Sequence, residues 1–262
     1  MKAIFFGNVE RQLFGAYHAA SDEGPVREAA VVLCYPWLAE YNMTHWAFRN
    51  LATLLARAGF AVLRFDYGGM GDSMGTTASA DINAWAGDIA TAAREVRELS
   101  GARELCLVGK GLGATLAALA TADVPTRDLV WWDPVVSGTE YLAELERVDA
   151  QQRLSRLCPP APPGHRDELL GFAVPRAQRT ALAHLDLLRT APRVTGAITL
   201  VANQARLAYG RTVEALTRAG SRATMEFVEE NVGAQVADGQ TALLSSATLT
   251  AIVAALVRGE RP

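Results

Sequence analysis

The sequence predicts an α/β protein built on a mostly parallel, doubly wound sheet. Strand-like apolar runs alternate with helix-like runs along most of its 262 residues, a pattern typical of parallel βαβ units. The run "AAVVLCY" (29–35) is apolar throughout, as in a central strand that is buried on both faces. The length suits one large domain of this class.

The first half of the chain supplies an antiparallel start and two βαβ units. The runs "KAIFFG" and "RQLFGAYH" predict an N-terminal antiparallel pair. After the 29–35 strand, Thr44 predicts the start of a helix that runs to about Ala58, with Gly59 just beyond its end. "FAVLRFDY" is the next strand, and apolar residues spaced three and four apart predict a helix over 81–99.

The second half repeats the alternation around one interruption. We expect strands in "LCLVG", "DLVWWDPVV", "AITLVAN" and "ATMEFVEE", and helices over 112–121 and about 241–257. Between 137 and 190 no clear strand is visible, and "CPPAPPGH" cannot continue a helix. We therefore expect a core formed by 1–136 and 191–262, with a helical lid formed by 137–190 over the ligand-binding edge of the sheet.

Composition excludes several classes of partner. A formal net charge of −3 lacks the basic face that nucleic acid requires, and no apolar run reaches the ~18 residues of a membrane span. The start lacks the pattern of a signal peptide, and three widely spaced cysteines suggest neither a disulfide framework nor a metal site. We expect a cytoplasmic protein without cofactor or metal, with a homodimer or a biosynthetic partner protein as possible assemblies.

The most informative stretch is "LVGKGLGATLA" (107–117). It predicts an apolar strand, a tight glycine turn and a small-residue helix, the setting of the nucleophile motif G-x-S-x-G. Gly111 stands at the serine position of this motif. A glycine has no side chain that could attack a substrate.

These pieces resemble the α/β-hydrolase superfamily over nearly the whole chain. "RFDYGGMGDS" (64–73) is similar to a loop of serine aminopeptidase-like members. "WDPVVSGTEYLAEL", "CYPWLAEY" and "HWAFRNLA" resemble small hydrolase-like proteins of the exosortase A system and relatives in biosynthetic clusters, which also lack the elbow serine. The resemblance implies an α/β-hydrolase fold with a lid.

The resemblance also implies positions for a catalytic triad, and this sequence leaves them without the usual residues. Where the acid is usual, "LVANQARLAYG" offers Asn203 and Gln204, and where the histidine is usual, "FVEENVGAQVADG" offers Glu229, Glu230 and Asn231. No histidine follows His184. We therefore expect a chain without the Ser-Asp/Glu-His triad.

Three other residues are candidates for catalysis. Glu40 and His45 lie in one short segment beyond the 29–35 strand, with Tyr41 between them, and an acid with an imidazole suits proton transfer. The alternative is that His45 bonds locally and Glu40 is solvated. Asp133 follows a predicted strand at the ligand-binding edge, although it could equally be a turn residue that accepts backbone N–H groups ahead of Pro134.

Substrate-binding groups are expected around the elbow. Lys110 could act as an amine nucleophile if buried, but a side chain that points into solvent is the interpretation that we favour; a reactive Cys34 is likewise less favoured than a buried one. The amide of Leu112 could form part of an oxyanion hole. The expected binding residues are Tyr35, Trp37, Tyr41, Lys110, Gly111, Leu112 and Trp132.

Three functions remain open at this point. The first is a noncanonical enzyme that carries out epimerisation, cyclisation or other carbonyl chemistry on an acyl or peptidyl intermediate of a biosynthetic pathway, without a covalent serine step. The second is an inactive pseudo-hydrolase that binds a ligand or acts as a scaffold. The least favoured is an ester or thioester hydrolase with relocated catalytic residues.

Overall fold

A computed structural model describes residues 1–22, 25–155, 167–229 and 246–259. The described residues form an eight-stranded sheet with the order β1-β2-β4-β3-β5-β6-β9-β10 and a separate two-stranded hairpin, β7-β8. β2 is antiparallel to both of its neighbours, and the other pairs of the large sheet are parallel. The strands are β1 (Lys2–Asn8), β2 (Arg11–His18), β3 (Ala29–Cys34), β4 (Ala61–Phe65), β5 (Glu104–Lys110), β6 (Asp128–Trp132), β7 (Glu168–Leu169), β8 (Phe172–Ala173), β9 (Ala197–Ala202) and β10 (Arg222–Phe227).

Helices cover both faces of the sheet. α1 packs with α7, and α2 packs with α3 on the sheet's other face, so the expected doubly wound α/β arrangement is confirmed. The helices are α1 (Ala39–Arg57), α2 (Trp85–Ser100), α3 (Leu112–Ala120), α4 (Gly138–Ser155), α5 (Arg176–Ala183), α6 (Leu207–Arg218) and α7 (Ser246–Arg258).

The hydrophobic core lies around the central strands. All residues of β3 and β6 are buried, which is why both segments are apolar without alternation, apart from Asp128 at the start of β6. Trp37, Trp85, Trp131 and Trp132 are among the largest fully buried side chains. The aromatic content of the sequence is therefore used mainly for packing.

The start of α1 differs from the prediction. The helix begins at Ala39, five positions before Thr44, and the residue ahead of it, Leu38, has a φ of 53°. The Thr44 hydroxyl donates to the carbonyl oxygen of Glu40 at 2.7 Å, so it is satisfied inside the helix rather than at its end. Glu40 consequently lies in the first helical turn.

The segment expected to form a lid is mainly helical but contains a hairpin that the sequence analysis missed. β7 and β8 pair antiparallel with two residues each, too short for a visible pattern. Gln178 of α5 fastens the segment to the core, because its Nε2 donates to the carbonyl oxygens of Thr77 and Ala80 at 2.7 and 3.0 Å. The boundaries of the lid stay a prediction, and "CPPAPPGH" lies outside the described residues.

The remaining helix boundaries agree to within a few residues. α2 begins at Trp85, after a short 3-10 turn at Thr77–Ser79, whereas the predicted helix begins at 81. Residues 241–245 of the last predicted helix lie outside the described part of the chain. In the four described ranges, no helix combines the length and the apolar character that a membrane crossing requires.

Candidate active site

Two neighbouring parallel strands end side by side and bring their following residues together. Lys110 at the end of β5 is paired with Trp132 at the end of β6. Gly111 and Asp133 follow directly, at the carboxyl edge where α/β sheets bind ligands. Glu40, in the first turn of α1, reaches the same point from the end of β3.

The backbone at Gly111 forms the sharp strand-to-helix turn that the motif predicts. Gly111 has φ 55° and ψ −122°, a backbone conformation with positive φ that residues other than glycine rarely adopt. At Gly113 an added Cβ would lie 2.3 Å from the carbonyl oxygens of Cys34 and Tyr35. The third glycine therefore lets α3 pack directly on the end of β3.

The carboxylate of Glu40 occupies the space beside Gly111. A Cβ built on Gly111 would lie 2.8 Å from Glu40 Oε2. A nucleophile's side chain would start at this point, so the carboxylate lies directly beside the place of such a side chain. Oε1 of the same carboxylate lies 3.2 Å from Lys110 Nζ.

Lys110 is buried, and the expectation that it points into solvent is wrong. Its exposed fraction is 7%. Its ammonium lies between Glu40 and Asp133, 3.7 Å from Asp133 Oδ2, and 4.6 Å from the centroid of the Trp132 ring. Two carboxylates and an aromatic face offset the cost of burying this charge.

Asp133 combines a structural contact with a contact to the site. Its φ is 43°, an unusual value for a residue that is not glycine. Oδ1 accepts from the backbone N–H of Asn203 at 3.0 Å, as a turn aspartate would, while Oδ2 faces Lys110. Strained backbone of this kind is often found at functional sites.

A cavity of about 350 Å³ opens above these groups. Four of the expected residues line it, namely Glu40, Lys110, Gly111 and Asp133. Its walls come from the segment after β6, from α4 and from the start of α6. The other lining residues are Pro134, Val135, Val136, Ser137, Glu140, Tyr141, Glu144, Gln204, Arg206, Leu207, Ala208 and Tyr209.

The cavity lining lacks five of the residues expected to bind substrate, namely Tyr35, Trp37, Tyr41, Leu112 and Trp132. Tyr35, Trp37, Leu112 and Trp132 are at most 1% exposed, so their side chains are packed in the core. Trp132 Nε1 donates to Asn203 Oδ1 at 2.6 Å. The backbone amide of Leu112 stays a candidate donor, because it begins α3 and the first amides of a helix have no partner within the helix.

The side chains of Tyr41 and His45 make their polar contacts with other residues than Glu40. The Tyr41 hydroxyl donates to Asp66 Oδ1 at 2.8 Å, and burial raises the pKa of both groups. His45 Nε2 lies 3.4 Å from Arg64 Nη1. Desolvation, and after it the charge of Arg64, lowers the pKa of His45.

His45 belongs to a second polar group, which we call the Arg64 cluster (Arg64, His18, Tyr35 and His45). Arg64 is 8% exposed; its Nη1 donates to the Tyr35 hydroxyl at 3.0 Å and its Nε to His18 Nε2 at 3.4 Å. Burial, followed by the charge of Arg64, lowers the pKa of His18 to about 4. Among the described residues no carboxylate forms an ion pair with Arg64.

The strand ends at which a triad acid and histidine are usual are only partly described. Asn203 Nδ2 donates to the Val228 carbonyl oxygen at 3.0 Å and to Thr248 Oγ1 at 2.8 Å, so its amide joins β9, β10 and α7. Gln204 lines the cavity. Glu230 and Asn231 lie outside the described residues.

Cys34 is a buried thiol, in agreement with the interpretation that the sequence analysis favoured over a reactive one. It is fully buried, and desolvation raises the pKa of its thiol to about 12. A thiol nucleophile needs the opposite shift.

Sequence reasoning missed two tyrosines of the cavity wall. Tyr141 is on α4 and Tyr209 on α6, far from the elbow in sequence, and no motif marks either residue. They come together only because both helices begin at the carboxyl edge of the sheet. The sequence did offer one signal, because Tyr141 follows β6 and Tyr209 follows β9, and residues after these strands are expected at the ligand-binding edge.

The comparisons with known proteins agree with this architecture. The family model described as serine aminopeptidase, S33, matches residues 29–216. Three solved structures illustrate the similarity of the fold. Est1E from Butyrivibrio proteoclasticus, with bound ferulic acid, has a TM-score of 0.68 at 13% identity over 98% of this chain and 99% of its own. Proline iminopeptidase of Mycobacterium smegmatis has 0.65 at 12% over 98% of both chains.

The third structure is α/β-hydrolase domain-containing protein 10 from mouse. Its TM-score is 0.59 at 16% identity, over 98% of both chains. At such identities the likeness concerns the fold alone. No curated protein matches the chain significantly.

Proposed function

Because the chain belongs to the serine aminopeptidase (S33) family of α/β hydrolases, we propose that it keeps the family's carbonyl-binding elbow and uses it for proton transfer. In this proposal the triad is missing and no covalent serine intermediate forms. The substrate is an acyl or peptidyl carbonyl compound of a biosynthetic pathway. The reaction class is epimerisation or a related rearrangement at the carbon next to the carbonyl.

The position of Glu40 is the observation that carries the proposal. Its Oε2 lies 2.8 Å from a Cβ built on Gly111, so a carboxylate lies directly beside the place of a nucleophile's side chain. A carboxylate is an effective general base when it is held next to the proton that it removes. The absence of a side chain at Gly111 leaves room for the substrate carbon above the elbow.

The elbow also supports stabilisation of negative charge on oxygen. In this fold the amide after the nucleophile position and an amide of the loop after β3 form the oxyanion hole. Here these are the N–H of Leu112 and an N–H of the loop that begins at Tyr35. The steep turn at Gly111 aims the start of α3 at the cavity, as oxyanion stabilisation requires.

The proposed step is balanced without a further reactant. Glu40 removes a proton from the carbon next to the carbonyl, and the C–H electron pair moves into the C–C bond as the carbonyl oxygen becomes an oxyanion. Return of a proton to the same carbon restores the carbonyl. Return from Glu40 to the same face exchanges the hydrogen, and delivery of a proton from a solvent water to the opposite face, with the first proton released to solvent, inverts the centre.

Lys110 and Asp133 have supporting roles in this proposal. The ammonium of Lys110, 3.2 Å from Glu40 and 3.7 Å from Asp133, holds two carboxylates in a small space despite their mutual repulsion. Asp133 in turn fixes the lysine against the ring of Trp132. The three groups form one charged unit at the base of the cavity.

A scaffold or ligand carrier is the second candidate function. It is favoured by the same ion pairs, because a carboxylate already bonded to an ammonium is a weaker base than a free one. In that case the cavity binds a ligand and no bond is broken. Hydrolysis by relocated residues remains the third candidate, with Glu40 activating a water molecule.

One probe separates the three candidates. We would incubate the protein in D₂O with the N-acetylcysteamine thioester of N-acetyl-L-alanine and follow the probe by NMR. Deuterium at the alanine α-carbon above the protein-free rate supports proton transfer. Release of free thiol without deuterium supports hydrolysis, and binding without either reaction supports a scaffold.

The matched control is Glu144→Gln. Glu144 also lines the cavity, but it is bonded to Arg147 at 2.7 Å rather than to the elbow. We expect this variant to exchange the α-hydrogen at the wild-type rate. Loss of exchange in Glu144→Gln would place the base elsewhere in the cavity and contradict the assignment to Glu40.

A further inference from the structure

The cavity wall contains a phenol whose hydroxyl forms no hydrogen bond with any residue that the structure describes. Tyr209 is 2% exposed and lines the cavity, yet within the described ranges its hydroxyl takes part in no hydrogen bond. Tyrosine side chains in the interior usually find a hydrogen-bond partner for the hydroxyl. The Tyr209 hydroxyl is not fully enclosed, so it opens into the cavity, where a ligand acceptor can reach it.

The surroundings of Tyr209 keep its hydroxyl in the protonated form. Burial raises its pKa most, the charge of Asp133 raises it further, and Arg206 opposes this shift while Glu40 adds to it. A phenol in this environment donates a hydrogen bond and does not ionise.

A second phenol has the same character. Tyr141 of α4 lines the cavity, and burial followed by the charge of Glu40 raises its pKa. No hydrogen bond of its hydroxyl is found in the described part of the chain. Two neutral donors thus stand in a wall near the carboxylates of the elbow.

We propose that Tyr209 donates a hydrogen bond to a carbonyl oxygen on the α-substituent of the substrate, and so selects N-acylaminoacyl or peptidyl compounds over plain acyl chains. This inference rests on the proposed function, which places the reacting carbonyl at the elbow and the α-carbon beside Glu40. The α-substituent then extends into the cavity, where the first amide oxygen meets the tyrosine wall. A simple acyl chain has no acceptor at that point.

The charges of the cavity agree with a neutral substrate. The carboxylates of Glu40, Asp133, Glu140 and Glu144 line it together with the cations of Lys110 and Arg206. Arg147 neutralises Glu144 from outside, which leaves an excess of one negative charge. A phosphate or carboxylate on the substrate would be repelled, whereas an amide would not.

The test measures how tightly two thioesters bind to the wild type and to the Tyr209→Phe variant. One probe is the N-acetyl-L-alanine thioester of N-acetylcysteamine, and the other is the propionyl thioester of the same thiol, which lacks the acetamido group on the α-carbon. Dissociation constants are measured by ligand-detected NMR for the wild type and for Tyr209→Phe, which keeps the buried ring. Tyr17→Phe is the matched control, because it removes a hydroxyl that contacts the Leu99 carbonyl oxygen, away from the cavity.

The expected result is a selective loss. Tyr209→Phe should weaken binding of the N-acetylalanyl thioester about three- to tenfold, as removal of one hydrogen bond does, and leave the propionyl thioester unchanged. Tyr17→Phe should change neither value. Urea unfolding of Tyr209→Phe, with a midpoint near that of the wild type, excludes a general loss of structure.

The outcomes that overturn the inference are equally definite. An equal loss for both probes, no loss for either, or no binding of the N-acetylalanyl thioester to the wild type would each overturn it. Failure of the proposed function gives a different pattern. The α-hydrogen then does not exchange, while the selective effect of Tyr209→Phe on binding persists.

Discussion

The charged side chains at the elbow and the Arg64 cluster are two charged groups, and α1 contributes one residue to each, Glu40 and His45. The two groups differ in the charges of their neighbours. At the elbow, Glu40, Lys110 and Asp133 pair opposite charges at the base of a cavity. In the Arg64 cluster a buried guanidinium is surrounded by neutral acceptors, the imidazoles of His18 and His45 and the Tyr35 hydroxyl.

The difference shows which group is available for chemistry. Glu40 retains an exposed fraction of 30% of its side chain, so a substrate can reach it. Arg64 and His18 are under a tenth exposed, and their hydrogen bonds join β2, β4 and α1. We therefore expect changes in the Arg64 cluster to act on stability and changes to the charged side chains at the elbow to act on binding and turnover.

The largest stability effect is expected at the elbow backbone. Gly113→Ala places a Cβ 2.3 Å from two carbonyl oxygens, and relief of that overlap should cost about 3 kcal/mol of unfolding free energy. Gly87→Ala is the matched control, since nothing lies within 4 Å of its Cβ in α2 and alanine should stabilise the helix by about 0.5–1 kcal/mol. Urea unfolding measures both; equal stability of the two variants would contradict the packing described for α3.

The next largest effect is expected in the Arg64 cluster. Arg64→Met should lower the unfolding free energy by about 2 kcal/mol, because the buried Tyr35 hydroxyl and His18 lose their partner. Binding of the N-acetylalanyl thioester should stay within twofold of wild type. A variant that keeps its stability but loses binding would reverse the contrast between the two groups.

The His18 imidazole makes stability depend on pH. Its pKa falls from 6.5 when unfolded to about 4 in the folded protein, so below pH 6.5 the unfolded chain takes up a proton that the folded one does not. Stability should therefore fall by about 2–3 kcal/mol between pH 6.5 and pH 4 from this group. Urea titrations of wild type and His18→Gln measure it, and an equal pH slope in both would assign the loss to other groups.

Lys110→Met should have the smallest effect on stability and a clear one on activity. Because the Glu40 carboxylate is partly exposed and can be solvated by water, the loss should be about 1 kcal/mol. Exchange of the probe's α-hydrogen should fall at least tenfold, since the two carboxylates are no longer held together. If stability falls as far as in Arg64→Met while exchange is unchanged, Lys110 is a structural residue.

The sequence located the elbow because each of its signals is local. Continuous apolar runs marked the buried strands, and the spacing of Gly109, Gly111 and Gly113 marked the turn. Lys110 was singled out because it adjoins Gly111, and Asp133 because it follows a predicted strand. The contact between them was not predicted, because the sequence analysis did not give the order of the strands.

Other parts of the site depended on geometry that the sequence does not display. α1 starts at Ala39, so Glu40 and Tyr41 point about 100° apart around the helix axis, and the proposed grouping with His45 was lost. Tyr209 and Tyr141 reach the cavity through the packing of α6 and α4. Burial of Lys110 likewise depends on carboxylates from two other segments.

The most direct test of the central claim is the rate of α-hydrogen exchange in Glu40→Gln compared with Asp133→Asn. Both changes remove one negative charge next to Lys110 and keep the shape of the side chain. If Glu40 is the base, Glu40→Gln should lower the rate by about 100-fold or more, and Asp133→Asn should lower it much less. Equal rates in Glu40→Gln and wild type, or a larger loss in Asp133→Asn, would contradict the claim that Glu40 takes the nucleophile's place.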